Sequence, residues 1–254
     1  MTRKTLGLTR TRTKDPEPVA EKAEAMVEAE ADPQKRFLNG VAINPAPGIR
    51  LESGSEKLTV RAMDLITPIG MGQRGLIVAP PGSGKSTILK DICQAVGKAY
   101  RLSRVHNAER KSSGRTMSGG MDARAMEIPR RLFGAARNIE NGSSLTILAT
   151  VLVDTGSRMD QVIFEEFKGT GNMELVLSRD VASQRIFPAL DISKSSTRRE
   201  ELLLDPKYLD KIRALRRALG SLKPLEGTRK LVELLEKYPT NAELLNSISG
   251  TDTD

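Results

Sequence analysis

Tryptophan is absent from the 254 residues, and cysteine and histidine occur once each. A lone cysteine excludes an internal disulfide framework and a thiolate-rich metal centre. Cys93 falls on the apolar face of a helical pattern and reads as a small buried hydrophobe. His106 stands alone, so there is no His cluster and no His-based acid–base pair. It reads as a loop or surface residue. Aromatics make up 3%, too few for base stacking to be the main contact with a nucleic acid. No run of about eighteen apolar residues occurs, and no apolar core follows the basic N-terminus. The expectation is a chain without a membrane span, in the cytoplasm.

Positive charge is plentiful. The net charge is +8 and the pI about 9.7, which suits anionic partners. A basic, soluble surface with no partner fits composition equally well. The length allows one sizeable core with extensions. Residues 1–36 hold a basic end (Arg3, Lys4, Arg10, Arg12, Lys14) and an Ala/Glu-rich stretch from Glu17 to Asp32 with few large apolar residues. Disorder is expected there, because little can be buried. Pro45, Pro47 and Gly48 mark a linker.

The most informative stretch is residues 72–88, Gly-Gln-Arg-Gly-Leu-Ile-Val-Ala-Pro-Pro-Gly-Ser-Gly-Lys-Ser-Thr-Ile. An apolar run, Leu76 to Ala79, suits a buried strand. A Pro/Gly turn follows. Ile88, Leu89, Ile92, Cys93 and Val96 then have the spacing of an amphipathic helix that stops at Gly97. Strand, Gly-rich turn and helix start form the context of a phosphate-binding P-loop. Backbone N–H groups of the turn point at phosphate oxygens, and the helix N-terminus adds partial positive charge. Pro81, Gly82, Ser83, Gly84, Lys85, Ser86 and Thr87 are therefore the candidate ATP-binding residues. Lys85 reaches the β/γ-phosphates and Ser86 ligates Mg²⁺ in such a site. Ala79 stands where the usual pattern has its first Gly.

Further strands are expected over Leu145–Leu152 and Met173–Leu177, with a short one at Ile186-Phe187-Pro188. Arg124–Ile139 reads as helical, interrupted or restarted at Pro129. Asp205 and Pro206 open a helix with Leu209, Ile212, Leu215 and Leu219 on one face, closed by Gly220. A second runs from Thr228 to Tyr238 and stops at Pro239. Thr240 and Glu243 suit a capping box for a last short helix.

Longer motifs carry a family resemblance. They include Leu65-Ile66-Thr67-Pro68-Ile69-Gly70-Met71-Gly72-Gln73-Arg74-Gly75, Ser118-Gly119-Gly120-Met121-Asp122, and Phe133-Gly134-Ala135-Ala136-Arg137-Asn138. Asp154-Thr155-Gly156-Ser157-Arg158-Met159-Asp160, the run from Glu165 to Leu175, Phe187-Pro188-Ala189-Leu190-Asp191 and Thr197-Arg198-Arg199-Glu200-Glu201-Leu202 complete them. From about Ile49 to about Ser247 the chain resembles the Rho family of bacterial transcription terminators, ring-shaped RNA-dependent ATPases and helicases. The resemblance implies an α/β fold: a RecA-like P-loop NTPase core with a reduced, mainly parallel sheet and a small helical C-terminal region. It divides the chain into an extension and linker (1–48), the core (49–204), C-terminal helices (205–247) and a tail (248–254). It also implies ATP and Mg²⁺, a homo-hexamer, RNA in the central pore and RNA polymerase as a partner.

By the same resemblance, Arg198 matches an arginine finger that reaches a neighbouring subunit's γ-phosphate, and Arg185 a second arginine near that interface. Read from residue type alone, Arg198 is a solvated arginine. Two loops match those that hold RNA in the pore: Arg115, Thr116, Met117, Ser118, Gly119 and Gly120, and Thr155, Gly156, Ser157 and Arg158. Both basic positions are Arg where the family commonly has Lys.

Two expected pieces are not found. About fifty residues precede the core, Phe37 is their only aromatic, and no barrel of short strands can be read there. After the P-loop helix, Gln94–Tyr100 runs straight into Arg101–Asn107, which matches the family just beyond its Walker B Asp. The segment carrying that Asp and a catalytic Glu has no counterpart, as after an internal deletion. Leu145–Leu152 then becomes a sheet edge. The expected function is a Rho-type ATP-dependent RNA translocase with impaired hydrolysis. The alternative is a non-hydrolysing nucleotide-binding module that joins or inhibits complete rings.

Overall fold

A computed structural model of the chain describes residues 37–96, 116–117, 121–122 and 125–248. The expected disorder of residues 1–36 and most of the expected tail lie outside the described residues. The chain divides into two compact units, Met1–Gly40 and Val41–Asp254. In the first, residues 37–39 form a helical turn. The second begins with β1 (Ala42–Ile43), β2 (Gly48–Ile49), α1 (Leu58–Ile66), β3 (Ile69–Gly70), β4 (Arg74–Ala79) and α2 (Lys85–Val96). Then come β5 (Thr116–Met117), β6 (Met121–Asp122), α3 (Glu127–Gly134), β7 (Arg137–Ile139), β8 (Ser144–Leu145), β9 (Ile147–Leu152) and α4 (Arg158–Lys168). The order ends with β10 (Met173–Val176), α5 (Arg179–Ser183), β11 (Ser196–Thr197), α6 (Pro206–Gly220), α7 (Pro224–Lys237) and α8 (Asn241–Ser247).

The main sheet has the order β11-β10-β4-β9. β10 and β9 both run parallel to β4, and β11 is antiparallel to β10. β4 is apolar on both faces because both are covered. Its residues alternate sides, as a strand must. Ile77 and Ala79 enter a core with α1, α2 and the C-terminal helices, including Met63, Ile88, Leu215, Leu231 and Leu244. Leu76 and Val78 enter the opposite core with Phe133, Ile163 and Phe167 from α3 and α4. Phe133 and Phe167 meet edge to face at 5.3 Å. The result is a three-layer α/β unit in which the C-terminal helices share the core of the nucleotide strand.

Several expectations are met. The helix after the P-loop turn spans Lys85–Val96. Asp205 caps α6 by accepting from the Lys207 N–H, with Pro206 in the first turn, and Thr240 caps α8 by accepting from the Glu243 N–H. Cys93, however, expected to be buried, is only half-buried.

Others are corrected. The helix expected over Arg124–Ile139 ends at Gly134, and residues 137–139 form β7. There, pairing with β1 and β8 captures the backbone, so tertiary context overrides propensity. The strand expected over Leu145–Leu152 breaks at Thr146. Its hydroxyl accepts from the Gly72 N–H and donates to Gly70 O. Leu145 pairs with β7 and Ile147 begins the pairing with β4. No strand forms at Ile186–Pro188: Arg185 has positive φ, and only Leu190 makes an isolated bridge, to Leu177. The second C-terminal helix starts at Pro224 rather than Thr228. Residues 42–43, within the expected linker, pair with β7, and residues 48–49, at its end, pair with β3. As expected, β9 is the last strand of the main sheet among the described residues.

A polar knot fastens α1 to the chain on both sides of it. Arg61 is buried, with 4% exposure. Its guanidinium donates to the Leu235 and Tyr238 carbonyls at 2.7 Å each, closing the end of α7, and to Glu52 at 3.2 Å. Glu52 also accepts the Asn241 N–H at 2.7 Å. Asp64 accepts the N–H groups of Leu51 and Glu52. Burial, outweighing these hydrogen bonds, pushes the Asp64 carboxyl up to about 6 from an ordinary 3.8. A raised acid holds its proton in the folded chain while the unfolded chain has already lost it. Its contribution to stability therefore falls as pH rises from about 4 to about 6, by roughly 3 kcal/mol in all. Relative to Asp64→Asn, the wild type should lose stability over this window in urea titrations. A difference that stays constant with pH would rule this out.

Candidate functional site

β4 ends at Ala79 and the turn begins at Pro80. Gly82 and Gly84 have φ of +76° and +90°, a region L side chains rarely adopt. A Cβ at Gly82 would meet nothing within 4 Å, so it is the backbone conformation that requires glycine there and the space above the turn is open. Ser83 is buried, and its hydroxyl donates to Pro80 O at 2.7 Å. That side chain holds the turn and leaves only its backbone for a ligand. Gly84 O accepts from the Thr87 and Ile88 N–H groups at 3.0 and 3.1 Å, starting α2. The first-turn N–H groups of such a helix lack intrahelical partners. Lys85 is half-buried, while Pro81, Ser86 and Thr87 are exposed. The expected phosphate-binding residues thus come together in one turn.

Parallel pairing brings two more segments to the same edge. Ala79 is level with Leu152, and Val78 with Val176. Beyond β10, the turn after α5 carries Arg185 and Phe187. The Phe187 ring lies 3.6 Å from where a Gly84 Cβ would sit, and the residue is 47% exposed. The expected site residues did not include this side chain. About a hundred residues separate it from the P-loop, and only strand pairing closes that distance.

Beyond β9, the Val153 N–H donates to Ala79 O, and the chain enters the loop Thr155–Arg158. Asp154 and Gly156 have positive φ. Thr155 Oγ1 donates to Asp160 at 2.7 Å and accepts the Ser157 N–H. Ser157 Oγ accepts the Asp160 N–H. An open cleft of about 230 Å³ is lined by residues 154–158, Asp160 and Gln161. Thr155 and Ser157 spend side-chain contacts on the loop itself. The open backbone of Gly156 and the exposed Arg158 face outward. Of the other expected RNA-contacting residues, Thr116 lies in β5, which pairs with β6. Arg115, Ser118, Gly119 and Gly120 lie outside the described residues.

Arg198 is not brought to this edge. β11 is antiparallel to β10, with Thr197 opposite Met173. The Arg198 N–H donates to Asn172 O at 2.9 Å, at the amino end of β10. At about 3.3 Å per residue, the length of β4 places it roughly 16 Å or more from the P-loop of its own chain. Among the described residues no group of three or more His, Cys, Asp or Glu could hold a metal ion. The open glycine turn and exposed Ser86 hydroxyl fit a polyphosphate and one hydroxyl ligand to its Mg²⁺.

No protein-family model matches the chain. Among curated proteins, the transcription termination factor Rho of Streptosporangium roseum is 38% identical, covering 85% of this chain and 74% of the relative. The chain belongs to the Rho family. The Rho proteins of Rhodopirellula baltica and Streptobacillus moniliformis are 36% and 39% identical, with 57% and 65% of their lengths covered. This Rho-family chain thus spans about half to three quarters of the length of these relatives. The first alignment runs over 284 residues, more than the chain contains. It therefore skips residues of the relative. Solved structures confirm the fold: an ATPase from a type III secretion system of pathogenic bacteria (TM-score 0.58, 17% identity, 81% and 84% of the two chains covered). An ATP synthase subunit of Nanoarcheaum equitans is similar at TM-score 0.57, with 14% identity and 83% and 80% covered.

Calorimetry with ADP should show that Lys85→Ala abolishes binding. Phe187→Ala should weaken it about three- to tenfold, as loss of a stacking face does. Equal affinity in wild type and Lys85→Ala would remove the P-loop from consideration.

Proposed function

We propose that the chain is a Rho-type motor subunit for ATP-dependent RNA translocation in transcription termination, with an impaired hydrolytic step. The observation that carries this reading is an intact P-loop turn beside a sheet whose last described strand is β9. By the family resemblance, the strands bearing the catalytic Glu and the Walker B Asp lie beyond that strand. Backbone N–H groups of residues 82–86 hold the phosphates, Lys85 neutralises them and Phe187 covers the base. Ser86 would hold Mg²⁺, which would supply charge neutralisation to the bound phosphates. Nothing in the P-loop itself orients an attacking water, and loss of such a group commonly removes several orders of magnitude in rate.

Arg198 sits too far from its own P-loop to serve it. Its exposed guanidinium suits a neighbouring chain's γ-phosphate, being planar, permanently charged and able to form two hydrogen bonds. Arg185 stands close to the nucleotide edge as the second arginine. This division favours a ring, by family a homo-hexamer. RNA is held weakly in its pore by Arg158, Gly156 and the loop with Arg115, Thr116, Ser118, Gly119 and Gly120. RNA polymerase is the expected partner and the cytoplasm the setting. Among the described residues no helix is long and apolar enough to cross a membrane. The same separation of Arg198 from the P-loop supports a second reading. A non-hydrolysing chain that joins complete rings still offers its arginine to a neighbour while stalling its own site.

Purified protein should hydrolyse ATP at background rate with or without RNA. An RNA-stimulated turnover of about one per second or faster, lost in Lys85→Ala, would overturn the impairment. Addition to a complete Rho that lowers its turnover would select the second reading. RNA affinity should be weak and fall steeply with salt, and Arg158→Ala should reduce the salt slope by about one. Tight, salt-insensitive binding of a C-rich RNA would contradict this.

A further inference from the structure

The loop that carries Arg198 is clamped at both ends to the same short stretch of chain. On one side, Thr197 is buried and its hydroxyl donates to Pro68 O at 3.0 Å. On the other, the Glu200 carboxylate accepts from the Arg216 guanidinium and from Arg213 Nε at 3.4 Å. Arg216 in turn donates to Ile66 O at 3.2 Å, at the end of α1. The Glu200 and Arg216 side chains are each only 15% exposed. Between the clamps, Arg199 takes a positive φ of 56° and pairs with Glu201 at 2.5 Å. Arg198 itself has an exposed side chain with no side-chain partner among the described residues. Its backbone is fixed by Asn172 O, and Asn172 Oδ1 accepts from the Arg74 N–H and Gln73 Nε2.

A surface arginine has several rotatable bonds and loses entropy when it is held in one place. Fixing the backbone on both sides limits where the guanidinium can go before any ligand arrives. Preorganisation of this kind is what makes a charge effective at a reacting phosphate. Glu200 is well placed to supply it. It does not face a ligand, its carboxylate bridges two cations of α6, and its backbone carbonyl accepts from the Leu203 and Leu204 N–H groups.

We propose that Glu200, held by Arg216 and Arg213, is a positioning residue for Arg198. It sets the reach of that guanidinium toward the nucleotide of an adjoining chain. The inference rests on the proposed role of Arg198 in trans, and its test separates the two. The full-length protein is brought above and below its assembly concentration, verified by sedimentation velocity. Affinities for ADP and for ADP with beryllium fluoride, a γ-phosphate mimic, are measured in both states. Assembly should tighten the mimic about tenfold in wild type, and Arg198→Ala should abolish that gain. Glu200→Gln should cut the gain to about threefold or less, leaving assembly and the ADP affinity of dilute protein unchanged. Glu200→Asp, which keeps the charge, should recover most of it. If Glu200→Gln does not fold, Arg216→Lys, which loses the second donor arm, carries the same readout.

No assembly, or a full gain in Arg198→Ala, would overturn the trans reading on which the inference rests. Loss in Arg198→Ala with a full gain in Glu200→Gln would overturn the positioning role alone. A Glu200→Gln protein that also loses ADP affinity in dilute solution would show a general structural role and likewise overturn it.

Discussion

The pairing of β4 with a parallel strand on each side is the constraint on which the rest depends. β4 pairs with β9 along all six residues and with β10 along four. The three carboxyl ends therefore finish at one level. Three unrelated stretches of sequence, Pro81–Thr87, Thr155–Arg158 and Arg185–Phe187, are brought to one edge. Open α/β sheets place ligands at such an edge, where helix N-termini and turns converge. The alternation of β4 residues between two cores makes the register costly to change, since a slip by one would exchange the two layers' contacts.

The same pairing separates two chemistries. The phosphate turn is at the carboxyl edge and the exposed Arg198 at the amino edge. Binding requires only backbone donors, a lysine and a hydroxyl, all local to one turn. In the proposed motor, hydrolysis draws on groups from several strands and from another chain. On that reading, a sheet ending at β9 would keep the first and lose the second. β9 shows the physical cost: its residues are mostly half-buried where those of β4 are buried. An apolar strand at a sheet edge is a template for unwanted pairing.

Much of this was legible in the sequence because it is local. The P-loop turn, its helix and the caps at Asp205 and Thr240 depend on residues within a few positions of each other. So does the apolar stripe of α6. What could not be read depends on partners far away. Residues 137–139 look helical until β1 arrives to pair with them. Thr146 looks like a strand residue until Gly70 and Gly72 take its hydroxyl. Phe187 is one aromatic among few until strand pairing sets it beside Gly84. Arg198 matched a motif, but its distance from the P-loop is a property of the antiparallel β11. The helix α1 carried no assignment at all, because its six buried residues include Arg61, and a buried guanidinium breaks the expected apolar pattern.

Arg61 has a topological consequence. Through it, Glu52 near the beginning of the second unit meets Asn241 near its end, at 2.7 Å. Two segments 189 positions apart in sequence are therefore neighbours across α1. Loss of the Arg61 guanidinium would release both sides at once, since Glu52 at the entry to α1 and the Leu235 and Tyr238 carbonyls at the end of α7 share it.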